Sequence, residues 1–173
     1  MFVNRQDRAV YFKVFVSAEG QTGERLLEAV AASFGGRVER EAILSLVELP
    51  LGLVEGWSVQ VHLYTPRQPA ALGSVSLVFK GSDGVLLALD PATPEVAGRL
   101  LSDFQERTRD QGYDWSTFPS VVYASGGSLG PDLQGLRIVP GDLAAGTGVM
   151  DAVKALSTRL CEQDLPRSRR KPS

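Results

Sequence analysis

A single cysteine and a single histidine stand in these 173 residues. With Cys161 alone no internal disulfide can form, which suits a reducing compartment, and a cytoplasmic protein is the expectation. His62 has neither a second histidine nor a cysteine pair to join it, so no metal is expected. A lone histidine in a strand also gives no Ser/His/Asp set. No apolar run approaches the roughly 18 residues of a membrane-spanning helix. The opening "MFVNRQDRAV" lacks the hydrophobic stretch of a secretion signal. Acidic residues are plentiful but show no diagnostic pairing. Asp110 and Asp114 flank a helix end, and Asp83, in "GSDG", reads as a turn residue.

What is present describes one globular domain with a real core. Hydrophobic residues make up 43% and charged ones 22%, the balance of a soluble fold. Charge is unevenly spread. Of 18 basic residues, Arg167, Arg169, Arg170 and Lys171 lie in the closing "PRSRRKPS", so 14 remain against 20 acidic ones in the body. The expected division is a domain over residues 1–165 and a disordered basic tail over 166–173. A weak contact of that tail with an acidic partner or membrane surface is the alternative. No aromatic residue interleaves the tail cations, so nucleic acid is not an expected partner.

Along the chain, strands and helices alternate. A nearly continuous apolar strand over about Tyr11–Val16 suggests cover on both faces. Leu26, Leu27, Val30, Ala31 and Phe34 then mark a helix from about Glu24, ended by Gly35-Gly36. "AILSLVEL" and "SVQVHLY" flank the turn-rich "PLGLVEGW" and predict an antiparallel pair. Residues 70–79 fit a short helix or a strand equally. "GVLLALD" is a buried strand. A helix follows, with Thr93 as N-cap, Pro94 in its first turn, Glu95 at its positive end and Gly112 closing it. "SVVYA" and "LRIV" are further strands. The last helix begins near Thr147 or Gly148, with Val149, Val153, Leu156 and Leu160 inward and Cys161 beside that stripe.

This alternation predicts an α/β fold of three layers. Its sheet is mostly parallel, of about six strands with one antiparallel edge strand, and has helices on both faces. Only 12 residues, "ASGGSLGPDLQG", run from Ala124 to Gly135. With four glycines and a proline they lack helix propensity. One crossover helix, over about 124–135, is therefore expected to be missing or reduced to a turn. Either this bares a patch of sheet to a partner, or side chains of "SLGPDL" and neighbouring loops cover it.

The element order is that of a small Ras-like GTPase. "VHLYT" at 61–65, "VFKGSDGVLLALD" at 78–90, "RDQGYDW" at 109–115 and "GTGVMDAVKAL" at 146–156 resemble the bacterial MglA-type GTPases, over about residues 10–163. That resemblance implies a polarity or motility switch that binds GTP or GDP with magnesium and is acted on by Roadblock-domain proteins.

Matched to the family's phosphate loop, G-x-x-x-x-G-K-[ST], the chain reads "AEGQTGER". Such a loop surrounds phosphates with backbone N–H groups, reaches the outer phosphates with its lysine and ligates magnesium with its hydroxyl. Here Ala18 replaces the first glycine and Gly20 lies within the loop. Gly23 is kept, Glu24 replaces the lysine, and Arg25 replaces Ser/Thr. A favourable charge pair about 4 Å apart is worth about 4 kcal/mol at an effective dielectric near 20. Reversing one sign swings this by up to about 8 kcal/mol, and half of that weakens binding about a thousandfold. Glu24 also has an ordinary use, as an acid in the first turn of a helix.

The resemblance places the first switch's magnesium-facing threonine at Glu41 and a charge-stabilising arginine at Arg40. It places the second switch's glycine at Arg67, after Pro66, and the water-orienting glutamine at Gln68. The guanine-reading N-K-x-D becomes "SGGS", with Ser125 for Asn and Ser128 for Asp, and a hydroxyl replaces a bidentate carboxylate poorly.

Arg40 and Gln68 are thus vestigial, no catalytic residue is expected, and no cofactor is expected. The implied protein is a pseudo-GTPase that binds proteins through Arg40, Glu41, Pro66, Arg67 and Gln68, on switch-like loops at about 37–42 and 65–73. Its expected partner is a Roadblock-domain (MglB-like) protein or another MglA-like GTPase, in a polarity or motility system. The alternatives are an unorthodox GTPase that binds GTP/GDP and magnesium weakly, and a purely structural subunit.

Overall fold

The computed structural model describes residues 1–67, 78–90, 92–125 and 135–165. In chain order the elements are β1 (Phe2–Asn4), β2 (Ala9–Ser17), α1 (Thr22–Phe34), β3 (Glu39–Arg40), β4 (Leu44–Val54), β5 (Trp57–Pro66), β6 (Gly84–Leu89), α2 (Pro94–Asp110), β7 (Ser120–Ser125), β8 (Arg137–Gly141) and α3 (Val149–Asp164). The strands form one sheet of order β3-β4-β5-β2-β6-β7-β8, with β1 joined to β2. Pairing is parallel from β5 through β2, β6 and β7 to β8. The β4–β5 hairpin is antiparallel, as its alternation and turn residues predict.

The sheet exceeds the expected six strands by two short ones. β3 pairs antiparallel with β4, so β4 lies one strand in from the rim there. β1 pairs with Ala9–Tyr11, along the part of β2 that precedes its pairing with β6 at Val14. Beyond the stretch paired with β3, β4 has a register shift against β5 between Pro50 and Gly52.

Two apolar cores flank the sheet. Val10, Phe12, Val14 and Val16 of β2 pack with Leu26, Leu27 and Val30 of α1 and with Val153, Leu156 and Leu160 of α3. On the opposite face Phe15, Val85, Leu87 and Val122 pack with Leu101 and Phe104 of α2. Each fully buried side chain of this size contributes about 1.5–3 kcal/mol. The expectation that β2 is covered on both faces is corrected here. Phe15 is buried, but Lys13 on the same face is exposed and Tyr11 is half-buried against Phe2 and His62.

Helix ends follow local chemistry. Gly35 takes a left-handed φ of 72°, and the Gly36 N–H donates to Ala31 O at 2.8 Å. Thr93 precedes α2, but its hydroxyl caps no helical N–H, a correction to the expected cap. It donates instead to Asp90 O in the preceding turn, at 3.2 Å. Of the ambiguous stretch at 70–79 only Val78 and Phe79 are described, and both are helical. The shortened crossover falls mostly on 126–134 and the basic tail on 166–173, both outside the described residues. No helix among the described residues is long and apolar enough to cross a membrane.

Candidate functional site

β2 leads through α1 toward the β5 side of the sheet, whereas β6 leads through α2 toward β7. Open α/β sheets bind ligands where such connections diverge, beyond the strands' carboxyl ends. The loop from Ala18 to Gln21 lies at this point. Ala18 packs against the core, and Gly20 has φ 56° with open space where a Cβ would stand. Glu19 forms an ion pair with Arg99 of α2, so a salt link spans the divergence. Two loop and helix amides are engaged internally. Thr22 N–H donates to Glu19 O at 3.1 Å, and Arg25 N–H donates to Gln21 O at 3.0 Å.

The first turn of α1 sits on a cross-strand pair, Ser45 of β4 opposite Thr65 of β5. Gly23 is buried over Thr65. A Cβ there would lie within 3.0 Å of the Thr65 hydroxyl oxygen and 3.2 Å from its Cβ. The Thr65 hydroxyl donates to Val16 O at 3.2 Å and is fixed by that bond. The next residue, Glu24, turns to Ser45, whose buried hydroxyl donates to Glu24 Oε1 at 2.6 Å.

Glu24 also faces Arg67, with Nε 3.5 Å from Oε1. Arg67 extends past the end of β5. Its N–H donates to Ile43 O at 2.9 Å, and its Nη1 donates to Glu41 O at 2.9 Å. Three positions that the resemblance assigns to nucleotide contacts therefore meet each other: Glu24 and Arg67 through side chains, Glu41 through its carbonyl. Both charged side chains are partly solvated, so the ion pair alone contributes about 0–1 kcal/mol.

The remaining positions are spread out. Arg25 is exposed. Arg40, in β3, forms an ion pair with Glu28 on the outer side of α1. Pro66 is half-buried opposite Leu44. Ser125 ends β7, half-buried, opposite Gly141. Gln68 and Ser128 lie outside the described residues. Sequence reasoning missed Ser45, Thr65 and Glu28. It treated Glu24 and Arg67 as separate changes, although their opposite signs were a signal that they pair.

The other candidates for chemistry have structural surroundings. Tyr64 exchanges a hydrogen bond with Ser82 at 2.6 Å, and burial pushes its phenol up to about 12. The Asp83 carboxylate accepts from Lys13 N–H at 2.8 Å. Asp114 accepts from the Ser116 N–H and hydroxyl, which hold its carboxyl below the ordinary value. These contacts account for residues within "VFKGSDG" and "RDQGYDW". No cluster of metal-ligating side chains occurs among the described residues. Cys161 is half-buried, and burial, then the nearby Glu162 and Glu55, push its thiol up. A smaller thiolate fraction should make its alkylation by iodoacetamide at pH 8 slower than that of free cysteine. An equal or faster rate, read by mass spectrometry, would contradict this environment.

The mixed, mostly parallel sheet between helical layers, with α1 starting at the divergence point, is compatible with a Ras-like fold. Sequence comparison points the same way. The chain is 26% identical over 136 residues to the mutual gliding-motility protein MglA of Myxococcus xanthus, covering 70% of each chain. No protein-family model matches.

Proposed function

We propose that this chain is an MglA-like pseudo-GTPase, a protein-binding module that works without bound nucleotide in a polarity or motility system. The observation that carries this reading is the Glu24 carboxylate, held by Ser45 and facing Arg67, at the position matched to the phosphate-binding lysine. A phosphate at the start of α1 would meet a like charge, and Arg25 has no lone pair to offer magnesium. The residues therefore do not fit a magnesium–nucleoside phosphate. With Arg40 paired to Glu28, no catalytic arrangement is supported among the described residues. The similarity to a gliding-motility protein supports the cellular setting. In this reading the turn around Glu41, Pro66 and Arg67 receives the partner. The partner is a Roadblock-domain protein or another MglA-like protein.

Titration with fluorescent GTP and magnesium tests the nucleotide half. The expected result is no saturation through the micromolar range. Micromolar binding that disappears in Arg25→Ala would replace this reading with that of a weak GTPase. The partner half is tested with Roadblock-domain proteins purified from the same cell. Ile43, 53% exposed within the same turn, is the natural apolar contact. Ile43→Asp is expected to weaken binding about tenfold or more, as loss of a central apolar anchor does. Absence of binding by the unaltered chain to every such protein would count against the assignment.

A further inference from the structure

In a nucleotide-operated switch the ligand itself ties the helix that follows the phosphate loop to the two mobile segments. Here the same three parts are joined by one side chain. Arg67 reaches the first turn of α1 through Glu24 and the turn after β3 through Glu41 O, using Nε for one and Nη1 for the other. Its own N–H extends the β4–β5 ladder to Ile43 O. The turn is also closed internally, because Glu41 N–H donates to Leu44 O at 2.8 Å. The Ser45 hydroxyl fixes the carboxylate on which Arg67 rests.

We propose that Arg67 is a built-in strut that replaces a bound ligand as the tie between α1 and the Glu41–Leu44 turn. The strut holds the surface around Ile43 in one arrangement whether or not nucleotide is supplied. This rests on the pseudo-GTPase reading and adds a regulatory consequence to it. The partner surface is pre-ordered, so binding it costs little further ordering. A planar guanidinium suits the task because it can keep the Nη1 bond to Glu41 O while its delocalised charge faces the Glu24 carboxylate, a pairing that a lysine ammonium on a flexible stem does not fix. Control would then pass from nucleotide exchange to whatever competes for Arg67, such as an acidic partner segment.

Amide hydrogen exchange on the full chain tests the strut. Arg67→Ala is expected to speed exchange about tenfold or more in a peptide covering 38–46, while a peptide covering β6 stays at the wild-type rate. Arg67→Lys and Glu24→Gln should fall between the two, and they carry the test if Arg67→Ala does not fold. Adding GTP and magnesium to the wild-type chain should leave the 38–46 peptide unchanged. Unaltered exchange at 38–46 in all three variants, or a uniform rise across the chain, would overturn the strut. Failure of the pseudo-GTPase reading appears separately, as saturable nucleotide binding in the titration.

Discussion

Gly148→Ala is expected to lower the melting temperature by about 6–12 °C. Gly148 precedes α3 with φ 73°, a backbone that costs an L-residue about 1–2 kcal/mol. An added Cβ would stand within 3.0 Å of Pro140 O and 2.9 Å from Gly141 Cα. Both neighbours are backbone atoms of β8 or its end and cannot rotate away. Overpacking of this kind costs about 1–3 kcal/mol. A combined loss of about 3 kcal/mol corresponds to the stated shift for a domain of this size. Gly146→Ala is the control. Its φ is 68°, but nothing lies within 4 Å of its Cβ position, so only the backbone cost of about 1–2 kcal/mol is expected. Equal thermal melts for the two variants would show that the close approach of α3 to β8 is not what requires glycine.

The second large effect concerns the glycine kept in the phosphate-loop pattern. In a helix, Gly→Ala ordinarily stabilises by up to about 1 kcal/mol. Gly23→Ala is expected to do the opposite and cost about 1–3 kcal/mol, because the methyl would drive into the Thr65 hydroxyl. Thr65→Ala alone should cost about 1 kcal/mol through the lost bond to Val16 O. With that hydroxyl removed, Gly23→Ala should become nearly neutral. The cycle therefore predicts a coupling of about 1–3 kcal/mol, measurable by urea unfolding. A stabilised Gly23→Ala protein would mean that packing gives no reason for the glycine.

Periodicity made most of the fold readable. The inward stripes of α1 and α3, the buried run at Gly84–Leu89 and the hairpin at Leu44–Pro66 are all local patterns, set by side chains a few positions apart. β1 and β3 were not readable, because two or three residues carry no period and pair only when a neighbouring strand edge is left free. The cover of β2 was misread for a related reason. Its apolar run is continuous only if Lys13 is overlooked, and that lysine is exposed. In the candidate site the changed residues were legible one at a time. Their contacts were not, since Glu24, Ser45 and Arg67 meet only after β4 and β5 have been laid beside α1. Thr93 shows the same limit on a smaller scale: its residue type fitted a cap, but the Asp90 carbonyl took its hydroxyl.

The outer flank of β4 bears on how this protein behaves in a crowded cell. β3 pairs only with Ser45 and Leu46, and β4 runs on to Val54 without another strand beside it among the described residues. A bare strand flank invites edge-to-edge polymerisation with other copies. Pro50 offers no N–H to such a growing ribbon, the irregularity before Gly52 spoils its register, and the exposed Glu48 adds a repelling charge. Pro50→Val is therefore a change whose penalty would appear as fibre formation on standing, with the melting temperature of the fresh protein little altered.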